Sequence, residues 1–145
     1  MTPSELQRDV RQLADRLVAV VTDSDHRALS ALVLRLLSPQ SPDRRLFPPL
    51  LAELTAETAE HIRALAGPGC SEDFFTVDLF GDDEAGVEVD ELAPPLRATL
   101  RAVLAELHDD SENALVQLDF VAQDPNPLGR LDALLHLATW VSELR

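Results

Sequence analysis

Two acid–histidine pairs stand at helical spacing in this chain, Glu57 with His61 and Asp132 with His136. A separation of four residues puts both side chains of a pair on one helix face. Two such helices set face to face would offer a metal ion four ligands. The Glu-x-x-His spacing of di-iron bundles is absent, however, and both pairs fall on the expected solvent faces of their helices. Ordinary surface pairing accounts for them. Metal binding by Glu57, His61, Asp132 and His136 is thus the weaker alternative, and no cofactor is expected.

Other chemistry-bearing residues give less. The acidic run Asp82, Asp83, Glu84, Glu88, Asp90 and Glu91 invites calcium. No register, however, places Asp or Asn at loop positions one, three and five ahead of Gly81 or Gly86. Cys70 is the single cysteine, so it has no internal disulfide partner. Glu72 and Asp73 beside it disfavour the thiolate a nucleophile needs. His26, His61, His108 and His136 are scattered, with no local serine or cysteine partner. Arg97, Arg101 and His108 form a cationic stripe on one helix, suited to an anion or to the protein's own acidic surface. No catalytic constellation emerges, and the reading leans away from an enzyme.

The chain has 145 residues and a formal net charge of −14, with 46% apolar residues. That length suits one domain with a sizeable core, and the apolar content excludes wholesale disorder. The charge is unevenly placed: residues 1–50 carry a net +1 and residues 51–145 a net −15. Such a surface is repelled by phosphate backbones and by anionic lipid, so neither nucleic acid nor membrane is an expected partner. No apolar run approaches the roughly 18 residues of a membrane helix, and no signal peptide is visible. A cytoplasmic location is the default expectation.

The elements that would position these residues are mostly helical. Thr2-Pro3-Ser4-Glu5 reads as a capped helix start, with Leu6, Val10, Leu13 and Leu17 as its apolar stripe. Asp23-Ser24-Asp25 ends that helix and caps a second, whose run Ala28 to Leu37 has only Ser30 and Arg35 as polar members and is expected to be the most buried. Pro39 and Pro42 stop it. Pro48-Pro49 opens a third helix reaching about Ala66, with Leu51, Leu54, Ile62 and Leu65 as its core face. Thr58 interrupts that stripe and is expected to bond the carbonyl one turn back. Helices over Leu96–His108, from after Asp109-Asp110-Ser111 to before Asp124, and from about Leu128 to Leu144 complete the set.

Between the halves, residues 71–91 alternate with a period of two. Phe75, Val77 and Leu79 share one face, Phe74 and Phe80 the other, and Val87 and Val89 resume beyond turn residues 81–86. This predicts a small acidic β-hairpin that must pack on helices, since a lone hairpin is marginal in water. The expected fold is therefore mainly α and a single domain. About six helices form two halves, 1–69 and 92–145, joined by the hairpin insert. The halves also rhyme: Asp23-Ser24, Ala28-Leu29, Pro39 and Pro42 echo Asp110-Ser111, Ala114-Leu115, Pro125 and Pro127.

Residues 95–127 resemble one tetratricopeptide-type helical hairpin. Ala114, Leu118 and Val121 carry the resemblance, with the terminal Asp124-Pro125-Asn126. The first helix departs from that pattern, lacking its aromatic residues and its Leu-Gly pair, and no second ~34-residue repeat is evident. The resemblance implies a helical protein-binding scaffold.

Val116 and Phe120 lie one turn apart, off the core stripe of the fifth helix. Either the hairpin folds down over the fifth helix and covers them, the arrangement slightly favoured, or, with Phe74 and Phe80 and with Asp82, Asp83 and Glu84 as an acidic rim, they form the expected interaction surface. The functional expectation is a non-enzymatic protein–protein interaction module, an adaptor, chaperone-like binder or regulator. Its partner is another protein or a second copy of itself as a homodimer. A small-ligand- or metal-binding helical bundle with enzyme activity is the alternative.

Overall fold

A computed structural model describes residues 2–38, 40–66 and 94–145. Among these residues six α-helices follow in order: α1 Pro3–Thr22, α2 His26–Leu37, α3 Phe47–Ala66, α4 Pro94–Leu107, α5 Ser111–Ala122 and α6 Pro127–Leu144. A 3-10 turn, Pro42–Leu46, leads into α3.

Local chemistry accounts for the helix ends. Thr2 Oγ1 accepts from Glu5 N at 3.2 Å while Glu5 Oε2 accepts from Thr2 N at 3.0 Å, a reciprocal capping box with Pro3 just inside the helix. Prolines sit equally inside the first turns of α3, α4 and α6, where a missing N–H costs no helical bond. Mid-helix threonines hide their hydroxyls. Thr55 and Thr58, both fully buried, donate to the carbonyls of Leu51 and Leu54 at 2.7 Å. Thr58 thus behaves as its sequence position predicted.

The core is a single cluster to which all six helices contribute, among them Leu17, Leu36, Leu54, Leu100, Leu118 and Leu137. Its burial pattern corrects two expectations. The apolar run of α2 buries only Leu32 and Leu36, and Leu34 is 69% exposed. The most enclosed helices are α4 and α6, because α3 packs against both of them. Leu65, assigned to the core face of α3, is exposed in its last turn.

The fold class also needs correction. Among the described residues the structure is all-helical, with no strand or sheet, so the β-hairpin insert drops out and mainly α remains. The residues 71–91 expected to form it lie outside the described ones. Among the described residues the core is built from helix faces. A short period-two run is by itself weak grounds for a strand.

The two halves repeat in geometry, in a register different from the sequence echo. At one constant separation, that from Asp25 to Asp110, each feature of the first helical hairpin recurs. Ser24 and Asp109 both take positive φ, 54° and 60°. Asp25 and Asp110 follow as N-caps, accepting from Ala28 N and Asn113 N at 3.1 Å each. Their own amides donate back to Val20 and Ala105. Ser41 and Asn126 then cap the next elements, each followed by a proline. Packing obeys the same exchange: α1 meets α2, α3 and α6 as α4 meets α5, α6 and α3.

The two Asp caps should therefore act alike and independently. Asp25→Ala and Asp110→Ala are each expected to cost about 1 kcal/mol, and the double variant about the sum. Chemical denaturation of the three variants checks this.

Among the described residues, no helix is long and apolar enough to cross a membrane.

Candidate functional site

The expected metal ligands are used otherwise. Glu57 Oε1 lies 3.5 Å from His61 Nε2, and it also accepts from Arg145 Nη2 at 2.7 Å and Nε at 3.0 Å. Arg145 reaches Asp15 as well, at 2.9 Å, so α6 is tied to α3 and α1 through one guanidinium. The bond to Glu57 raises the Arg145 pKa above its ordinary value, ahead of smaller help from Asp15 and against the cost of burial. His136 Nδ1 donates to the Asp132 carbonyl at 2.8 Å, and its ring meets Trp140 edge-on with centroids 5.8 Å apart. Trp140 is buried. The two pairs do not converge: among the described residues no three His, Cys, Asp or Glu side chains form a metal-sized cluster.

The cationic stripe is likewise engaged. Arg97, Arg101 and His108 each hold a noncovalent contact within the protein. Beside them, Arg63 bridges α3 to the end of α4, bonding the Glu106 carbonyl and, at 2.8 Å, Asp109 Oδ1.

Of the expected interaction surface, Phe74, Phe80, Asp82, Asp83 and Glu84 lie outside the described residues. Val116 and Phe120 are 50% and 65% exposed on α5. The structure adds Leu115, 57% exposed, which the sequence reading passed over. The signal was there: Ala114, Leu118 and Val121 already complete the buried stripe of α5, which leaves Leu115 no room on it.

Leu115 and Val116 line an open groove of about 500 Å³ along α5, and Phe120 is exposed on the same helix outside that lining. Leu115, Val116, Leu118 and Ala122 supply the groove's apolar wall, Pro48 from the first turn of α3 closes the other side, and Glu112 and Asp119 edge it. α5 can present this face because its opposite face is packed chiefly on α4. The Asp119 carboxylate is steadied by Gln123 Nε2, at 2.8 and 2.9 Å, so the acidic edge has a defined position. An apolar strip edged by carboxylates can hold an apolar segment and orient cationic neighbours.

Comparison with known proteins brings no relative into this picture. No protein-family model matches the chain, no curated protein matches it, and no solved structure matches its fold. The tetratricopeptide resemblance therefore rests on the few sequence positions that carry it. Ala114, Leu118 and Val121 are buried, as any antiparallel helix pair requires.

Proposed function

We propose that this protein is a non-enzymatic interaction module whose α5 groove receives an amphipathic helical segment of a partner protein, apolar along one face and basic beside it. The observation that carries the reading is the exposure of Leu115 and Val116 along an apolar groove with acidic edges, with Phe120 exposed on the same helix. These three large apolar side chains each stay half or more exposed in the monomer. They suit the helix-in-groove mode, in which anchors at i, i+3 or i+4 and i+7 supply affinity. Charge selects the occupant. Glu112 and Asp119, on a chain of net charge −14, favour Lys or Arg flanking the anchors and disfavour a second acidic copy.

The test uses synthetic amphipathic helical peptides with leucine anchors, one series flanked by arginine and one by glutamate. Fluorescence anisotropy is expected to show saturable binding of the arginine series, weakened by salt and absent for the glutamate series. Leu115→Ser with Phe120→Ser should weaken it by about tenfold or more while leaving the helical circular dichroism intact. Equal binding by the double variant would place the contact elsewhere. Equal binding of both peptide series would remove the charge argument. A native mass spectrum dominated by a dimer that Phe120→Ser dissolves would hand the groove to a second copy.

A further inference from the structure

A second cleft, unrelated to the α5 groove, lies between α1, α2 and the 3-10 turn and has a volume of about 340 Å³. Its floor is apolar, made by Leu13 of α1, Leu32 and Leu36 of α2, and Leu46. Its walls carry three arginines and two aspartates. Arg35 and Asp43 neutralise one another, with Asp43 Oδ2 accepting from Nη2 at 2.6 Å and from Nε at 3.0 Å. That leaves Arg16, Arg45 and Asp9, a balance of one positive charge. Neither Arg16 nor Arg45 makes a hydrogen bond or ion pair among the described residues.

In a chain with 26 acidic residues against 12 basic ones, two uncommitted arginines in one cleft call for a reason. The repeat between the halves sharpens the contrast. The counterparts of Arg16 and Arg45, at the separation that relates Asp25 to Asp110, are Arg101 and Arg130. Those two are engaged internally: Arg101 holds a contact, and Arg130 is buried with Nη1 on the Asp124 carbonyl at 2.6 Å. The same residue types therefore close the second half and stand open in the first. A planar guanidinium presents paired N–H donors that match a carboxylate edge, and a leucine floor beside it accepts a hydrocarbon tail.

We propose that this cleft binds a small amphipathic acid, its carboxylate held by Arg16 and Arg45 and its apolar chain laid on Leu13, Leu32, Leu36 and Leu46. The single excess positive charge suits a monoanion, and Asp9 on the same wall disfavours anions of higher charge. The inference stands independently of the α5 groove.

Octanoate is the probe, titrated into the full chain while the arginine Nε–H resonances are followed by NMR. Saturable shifts of Arg16 and Arg45 are expected, without matching shifts of Arg8 and Arg27. Arg16→Gln with Arg45→Gln should weaken binding about tenfold or more at unchanged helicity. Arg8→Gln with Arg27→Gln should leave it unchanged. Binding weakened equally by both pairs would reduce the effect to general charge and overturn the site. Equal affinity for octanamide would overturn the role of the arginines, and equal affinity for inorganic phosphate the role of the leucine floor. Absence of any shift at millimolar octanoate would overturn the proposal outright.

Discussion

Phe47→Ala is expected to cost the fold about 3–5 kcal/mol, whereas Phe120→Ala should change stability by no more than about 0.5 kcal/mol. Both residues are helical phenylalanines, and they differ in what surrounds the ring. Phe47 opens α3 at 1% exposure and belongs to the central cluster, so truncation removes buried surface and leaves a cavity. Phe120 is 65% exposed on α5, and alanine is the better helix former at such a site. Against a total stability of about 5–15 kcal/mol for a domain of this kind, the first change approaches unfolding. Urea titration of the two variants, with equal slopes, makes the comparison. A large cost at Phe120 would mean that its ring is covered in solution and that the face of α5 is not available to a partner.

Gly129→Ala should destabilise by about 1–3 kcal/mol, although alanine alone would favour the helix by about 1 kcal/mol. Gly129 lies in the first turn of α6, buried. A Cβ there would run into Asp124 Oδ2 and stand 3.1 Å from Pro95 Cγ at the start of α4. Asp124 cannot step aside freely, because its Oδ1 accepts from Asn126 N at 2.9 Å and so shapes the turn that caps α6. Either the carboxylate leaves that amide or the helix shifts off Pro95. Adding Asp124→Ala removes the nearer obstacle, so the double variant is expected to lose less than the two single losses combined. Thermal melts of the four proteins close the cycle. A Gly129→Ala protein more stable than the parent would show that α6 does not approach the Asp124 turn this closely.

The Asp124 turn also holds Arg130. Its Nη1 covers the Asp124 carbonyl, and its Nε is buried without a hydrogen-bond partner among the described residues. Burial lowers the Arg130 pKa, the neighbouring Arg44 adds to the effect, and Asp124 opposes it. Arg44, which has no arginine counterpart in the second half, donates to the Leu37 carbonyl at 3.2 Å.

The helix boundaries were legible in the sequence because their causes are local. Thr2 with Glu5, Asp25, Asp110, and the prolines at 42, 48, 49 and 127 act within one turn of chain, and each stands at or near the end it predicted. The hydroxyl of Thr58 was legible for the same reason. The off-stripe position of Val116 and Phe120 followed from helical period alone. Other properties depend on which helix passes over which face, and no local pattern carries that. The run Ala28–Leu37 looked like the most buried helix, yet α2 sits at the margin of the core and turns Leu34 outward. Arg16 and Arg45 lie far apart in the chain, and only the packing of α1, α2 and the 3-10 turn brings them to one cleft. Pro48 reaches the α5 groove by the same kind of long-range placement. Caps, breakers and amphipathic stripes are set by neighbours in sequence. Grooves and charge pairings are set by neighbours in space, which only the tertiary structure supplies.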